Sequence, residues 1–357
     1  MTWGSILSEG WRDTVSGTSR ALLWGVVTAA IVLTVIAAEI LHAHAAALAA
    51  QEYAASGASI ITLQAPGRID PAACEALNRV EGVRAAGALA AEEERVRLAV
   101  LPSAPVPVAT VTPSFPAVLG ARTGARAGAV ISDQVAERIN AGPGDAVATD
   151  GDDLVVSGVY AYPEDGRASG YGYMILLPSN ARTAYDECWV DAWPQSDLLT
   201  GLVYSSLIPT RDPQAASPRI GQLNSTLGAR FTGREQFDAR ATRFSPAVVA
   251  LACLALGFAS VRARRLHLAS DLHAGATRRD MRTIVVVETL WWLAPVMLLC
   301  ESAAIILTAG LGELDDPAPL VLANRIVWAA TAASLTGAAL GWSLTRERHL
   351  FAYFTTR

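Results

Sequence analysis

The sequence predicts a membrane protein of four transmembrane α-helices, with a large extracytoplasmic α+β domain between helices 1 and 2. Three observations predict it. Of 357 residues, 52% are apolar and 17% charged, below the roughly 25% charge of an ordinary soluble domain. Four stretches are long and apolar enough to cross a bilayer. Between the first two lies a segment of about 200 residues with mixed strand and helix patterning, enough for one or two small folded units.

The elements follow in order. Residues 1–20 form an amphipathic cytoplasmic helix. Trp3, Ile6, Leu7, Gly10, Trp11 and Val15 recur at helical spacing, with Ser5, Glu9, Arg12, Asp13 and Ser16 on the other side, so the apolar stripe suits the inner leaflet. A span needs about 20 mostly apolar residues to cross about 30 Å of hydrocarbon. The spans are 21–41, 244–261, 283–310 and 323–345. The first is no cleaved signal peptide, since its apolar run is too long and continues as an Ala-rich helix.

Orientation follows from arginine placement, because basic loops stay cytoplasmic. The loop 262–282 carries Arg262, Arg264, Arg265, Arg278, Arg279 and Arg282, and the tail 346–357 carries Arg346, Arg348 and Arg357. The short outer loop 311–322 holds Glu313, Asp315 and Asp316 and no basic residue. Both termini are therefore expected in the cytoplasm of a multi-pass plasma membrane protein. Trp24, Trp291, Trp292 and Trp342 would sit near the inner interface.

In the extracytoplasmic domain, 42–243, the stretches 59–64, 96–101, 106–111, 129–131, 174–177 and 202–207 read as strands from their β-branched content and alternation. Residues 147–148 and 154–160 read as a hairpin. Asp70-Pro71 starts one helix and Ser132 caps another, over 133–140. A third helix is expected over 213–227. Helical stalks, 42–55 and 234–243, flank the domain.

A net charge of −5 gives no basis for nucleic-acid binding. All 28 basic residues are arginine, so a phosphate-cradling GxxxxGK[ST] motif is excluded. Cys253 and Cys300 fall in apolar segments and read as small buried residues. Cys74 and Cys188 both lie in the extracytoplasmic domain, where an oxidising compartment permits a disulfide; sequence alone leaves open whether they meet. Glu288 and Glu301 are polar residues inside the third span. A carboxylate at membrane depth costs about 2.5–3.5 kcal/mol on insertion scales, so Glu288 calls for a partner such as Arg279, Arg282 or a neighbouring arginine, unless it sits at headgroup level. Glu301 falls about 20 Å further along, near the outer interface. His42 and His44, two apart on a helix, lack the three or four ligands of a metal site. Asp150, Asp152 and Asp153 lack the rest of a calcium loop.

From Arg264 to Leu290 the chain reads RRLHLASDLHAGATRRDMRTIVVVETL. This basic start, short helix, Gly275-Ala276-Thr277-Arg278-Arg279, and Glu288 thirteen residues after the glycine resemble the inner loop of the MacB/FtsX-type ABC permeases. His267 and Leu272 depart from the family's usual acidic and basic residues. GAVISDQVAERINAGPGDAV with LVVSGVY, and NRVEGVRAAGAL with VATVTPSFPAVLG, are similar to the two subdomains of the family's outer domain. The topology also matches, and its four spans differ from members with duplicated membrane halves.

The resemblance implies a non-catalytic permease subunit, working as a homo- or heterodimer in the bilayer with a separate ABC ATPase that carries ATP and Mg; this chain binds no cofactor. Leu266, His267, Leu268, Leu272, Gly275, Ala276, Thr277, Arg278 and Arg279 would couple to that ATPase. Motion would pass to the outer domain to export a peptide, lipid-linked or antibiotic-like substrate. An alternative is an FtsX-like relay that activates a cell-wall hydrolase, with an extracytoplasmic accessory protein bound. A second alternative is a membrane-anchored enzyme or receptor with no ATPase.

Overall fold

Hydrocarbon offers no water to a backbone amide, so a spanning segment must satisfy its own hydrogen bonds. The four apolar stretches do so as helices in a computed structural model that describes residues 3–17, 19–124 and 127–346. The tail beyond Arg346, with Arg348 and Arg357, lies outside the described residues, as do the side chains of Trp3, Ser5, Ile6, Leu7, Glu9 and Asp13. The chain forms two units, Met1–Leu48 with Gly233–Arg357, and Ala49–Thr232.

The first unit is helical. Its elements are α1 (Trp3–Val15), α2 (Ala21–Ala55, which runs on into the second unit) and, after the second unit, α7 (Gly233–Asp238), α8 (Ser245–Arg262), α9 (Arg265–His273), α10 (Arg278–Gly310) and α11 (Ala318–Ser343). Four of these helical segments are long and apolar enough to cross a membrane: Ala21–Ala55, Ala241–Arg262, Arg278–Gly310 and Ala318–Ser343.

The tightest pairing is between α8 and α11. A Cβ at Gly257 would strike the Ser334 carbonyl, one at Gly337 the Leu254 carbonyl, and one at Gly341 would lie 2.9 Å from the Phe258 carbonyl oxygen. Gly337 and Gly341 form a Gly-x-x-x-Gly pair, the arrangement that lets two membrane helices approach backbone to backbone. Trp292 and Trp342 are buried and pack in the cores of the helical unit.

The expected second stalk is not one helix. α7 ends at Asp238, Arg240 is extended (φ −58, ψ 142), and a 3-10 turn, Ala241–Phe244, leads into α8. At this break, Glu39 of α2 is 2% exposed. It accepts a hydrogen bond from Ser245 Oγ at 2.7 Å and faces Arg240 Nε at 3.4 Å. The carboxylate thus holds the start of α8 against α2. His44 of α2 meets Glu313, between α10 and α11, at 2.7 Å.

The second unit is a mixed sheet with short helices. Its strands are β1 (Ile60–Ile69), β2 (Val83–Leu98), β3 (Leu101–Val111), β4 (Ala129–Ser132), β5 (Ala146–Val147), β6 (Leu154–Tyr160), β7 (Ile175–Pro178), β8 (Tyr185–Ala192) and β9 (Arg219–Gln222). They lie in the order β5-β6-β4-β7-β3-β2-β8-β1-β9. The pairs β3/β7 and β4/β6 are parallel and the rest antiparallel. The helices are α3 (Pro71–Ala76), α4 (Phe115–Val118), α5 (Asp133–Ile139) and α6 (Asp197–Tyr204). Asp70 accepts from the Ala72 and Ala73 amides at the start of α3, and Ser132 caps α5.

Three sequence expectations fail here. Residues 96–101 are not one strand: β2 ends at Leu98, 99–100 turn, and β3 starts at Leu101, since the two strands pair as a hairpin. Residues 202–207 are no strand: Leu199 and Val203, one helical turn apart, bury from α6 against the sheet, a 3.6-residue period. Residues 213–227 are no helix: Pro213, Pro218 and Gly221 interrupt one, and 219–222 pair with β1 instead.

β8 is buried on both faces. Trp189 joins a core with Phe115, Leu89 and Val111, while Cys188 and Val190 join another with Leu63, Leu77 and Leu199. Its acidic residues all find donors. Asp186 accepts from the Gly67 and Ala91 amides. Glu187 accepts from Tyr171 Oη and Trp189 Nε1. Asp191 accepts from Ser59 Oγ and pairs with Arg84 at 2.6 Å. Burial first, and then the Glu187 charge, push the Tyr171 hydroxyl well above its usual pKa, so it stays a donor. A disulfide joins Cys74 on α3 to Cys188 on β8 across 114 residues, with Cα atoms 5.9 Å apart.

Two outcomes are expected. Gly337→Leu should destabilise the detergent-solubilised protein by about 1–3 kcal/mol through overpacking, read as a lowered Tm. Trp328→Leu, on the 69% exposed side of the same helix, should leave Tm unchanged. The paired change Cys74→Ser with Cys188→Ser should cost the sheet unit about 2–5 kcal/mol, read by denaturant titration of tryptophan fluorescence.

Candidate coupling site

The site lies where α8 ends and α10 begins. Arg264 bridges α8 and α9 as the residue before the latter's first turn. α9 is short and two-faced: Leu268, Ala269 and Leu272 are buried, while His267 and Ser270 are exposed. The buried side packs with Val261, Met281, Ile284, Val285 and Trp342. α9 ends in a Schellman turn, in which the Gly275 amide donates to the Leu272 carbonyl and the Ala276 amide to the Asp271 carbonyl. Gly275 has φ +99, a left-handed conformation that glycine adopts without a Cβ penalty. Thr277 then starts α10, its Oγ1 accepting from the Asp280 amide and donating to the Asp280 carboxylate.

Glu288, three turns into α10, is 1% exposed, and Arg264 forms an ion pair with it. Arg264 is itself 6% exposed. α1 crosses α10 at the same level: a Cβ at Gly10 would stand 3.4 Å from Glu288 Cγ and 3.2 Å from Val287 Cγ1. Beside it the Trp11 and Trp291 rings meet edge to face at 5.3 Å. The Glu288–Arg264 pair therefore joins α1, the α8–α9 corner and α10.

The residues expected to couple fall into four groups. His267, Gly275, Thr277 and Arg279 are exposed. Leu266 and Ala276 are half-buried. Leu268 and Leu272 hold α9 to the helical unit and present nothing to a partner. Arg278 is tied to its own chain: its guanidinium donates to the Thr345 carbonyl and lies 5.5 Å from the Trp342 ring centre. That places a cation at the carboxyl end of α11, where the helix dipole favours it. Glu301, half-buried on α10, has no ion-pair partner among the described residues and is no part of this site. Cys74 and Cys188 lie in the other unit.

Sequence reasoning named Arg279 and Arg282 before Arg264 as partners for Glu288. They are nearer along the chain, but Arg264 reaches the carboxylate because α9 folds back beneath α10. The part played by Gly10 was hidden within the apolar stripe of α1. Among the described residues no group of three His, Cys, Asp or Glu side chains could hold a metal.

Residues 23–223 match the family described as the MacB-like periplasmic core domain, which covers more than half of the chain. The chain belongs to the MacB/FtsX-type ABC transporter permease family. Among solved structures, the periplasmic region of MacB from Actinobacillus actinomycetemcomitans matches at 9% identity and TM-score 0.33, covering 52% of this chain and 95% of that one. The extracellular domain of the noncanonic ABC-type transporter YknZ from Gram-positive bacteria matches at 16% identity and TM-score 0.28, covering 40% and 88%. Comparison with curated proteins returns no match. Membership of the permease family implies an ABC ATPase as partner, and the four apolar helices fit a multi-pass plasma membrane protein.

Breaking a buried ion pair by removing one partner costs about 3–5 kcal/mol, whereas replacing both by apolar groups of similar volume is often neutral. Glu288→Gln alone and Arg264→Met alone should therefore each lower Tm strongly in detergent. Combining Arg264→Met with Glu288→Leu should recover most of the loss.

Proposed function

We propose that the chain is the membrane subunit of an ABC system, receiving the ATP-driven motion of a separate ATPase at α9 and passing it through α2 and α8 to the sheet domain. In this reading α9, the arginine-rich loop and both termini are cytoplasmic, the sheet domain is extracytoplasmic, and two copies work together. The substrate class is a peptide, lipid-linked or antibiotic-like molecule extruded outside. The observation that carries the reading is the division of α9 into an anchored and a free face. Leu268 and Leu272 fix it to the helices, Arg264 locks its start to Glu288, and His267 and Ser270 project outward. A helix so held moves as one body with α10 and can take a push. The Cys74–Cys188 disulfide supports an oxidising, extracytoplasmic setting for the sheet domain.

The test is capture of an ABC ATPase by the intact chain from native membranes, with the wild type and a His267→Asp, Ser270→Arg variant compared. The variant alters only the exposed face of α9. It should retain its membrane insertion and disulfide but lose ATPase by about tenfold or more, the size of a hot-spot effect. Undiminished capture by the variant, or no ATPase captured by the wild type, would refute the coupling role.

A further inference from the structure

We propose that β9 is a docking edge on which an extended acidic segment of a partner polypeptide adds as a tenth strand. The inference concerns the sheet unit alone and does not depend on ATPase coupling.

β9 ends the sheet and pairs only with β1. The Leu223 amide donates to the Ile60 carbonyl. In an antiparallel ladder the backbone groups of successive residues alternate sides, so Gly221 and Arg219 face β1, while Ile220 and Gln222 turn their N–H and C=O outward. Among the described residues nothing bonds to those four outward groups.

A recess flanks this edge on each face. One, of about 340 Å³, lies beside Ile61, Thr200 and Arg230. The other, of about 260 Å³, lies beside Trp189, Tyr171 and Arg219. Ile220, Gly221 and Gln222 line both. Strand addition needs this combination: main-chain bonds along an open edge give affinity, and recesses on both faces receive alternate side chains. Gly221 at the centre adds no side chain, which suits close approach by another backbone. An edge blunted merely against aggregation needs a charge and shortness; it needs no recess on either face.

Charge selects the occupant. The recess beside Trp189 has Arg219, and among the described residues no carboxylate lines it. Arg219 has no ion-pair partner among the described residues, whereas nearby Glu187 is engaged by Tyr171, Trp189 and Gln64. An extended strand with acidic side chains complements this edge.

The experiment uses the full-length chain in nanodiscs and a fluorescein-labelled heptapeptide of alternating glutamate and valine, followed by anisotropy. Controls are the same peptide N-methylated at alternate residues and an alternating lysine–valine peptide. Binding of the glutamate peptide is expected, with Kd about tenfold or more weaker for each control. Ile220→Pro, which removes an outward N–H and leaves the β1 ladder intact, should weaken binding similarly, as should Arg219→Glu. The N-methylated peptide tests the main-chain bonds on the unaltered protein, so the result stands even where a variant misfolds. Absence of binding, or equal binding of either control, overturns the proposal. So does formation of a disulfide-linked dimer by the Ile220→Cys chain that excludes the peptide, since a second copy would then occupy the edge.

Discussion

A carboxylate enclosed by helices must be matched by a cation or become neutral, and Glu288 meets that requirement through Arg264. The geometry around the site follows from this pairing. Arg264 can reach α10 only if the chain turns sharply after Arg262, which sets α9 against α10 and buries Leu268 and Leu272. α1 passes close to the same carboxylate at Gly10, where an added Cβ would stand 3.4 Å from Glu288 Cγ. A second enclosed carboxylate, Glu39, does the same for the start of α8 with Ser245 and Arg240. Both ends of α8 are thus held by acids on neighbouring helices, while Gly257 sets its distance from α11.

Long-range composition was more legible than local detail. The four spans, the capped starts at Asp70 and Ser132, and the mixed character of the sheet domain could be read because each depends on hydropathy or on residues a few positions apart. The interior strand β8 escaped notice because Tyr185–Ala192 carries three acidic residues, a poor strand signature. Those acids are tolerated because they find donors, most of them distant in sequence: Tyr171, Ser59, Arg84 and the Gly67 and Ala91 amides, besides neighbouring Trp189. β2, rich in alanine and then glutamate, has helical propensity and is drawn into the sheet by pairing with β8 along its first half and with β3 along its second. Conversely, 213–227 read as helix because β9 is specified by its partner β1 more than by its own residues. In the candidate site, the glycine turn and the basic loop were legible. The division of α9 into buried and exposed faces, and the choice of Arg264 over nearer arginines, depend on tertiary folding.

The sheet domain concentrates its constraints on β8. That strand carries the disulfide, contributes Trp189 to one core and Val190 to the other, and neutralises its charges with donors from flanking strands. Unfolding either face must disturb it, so the two layers are expected to unfold together.

The two connections between the units differ in kind. α2 is an unbroken helix of 35 residues, about 52 Å at 1.5 Å per residue, whereas the return passes through extended Arg240 and a single 3-10 turn. A continuous helix preserves phase. One inserted residue rotates all that follows by about 100° and shifts it about 1.5 Å, while an irregular joint absorbs the same insertion locally. An insertion within α2 would therefore propagate along the helix, whereas the same insertion at the return joint would be taken up there.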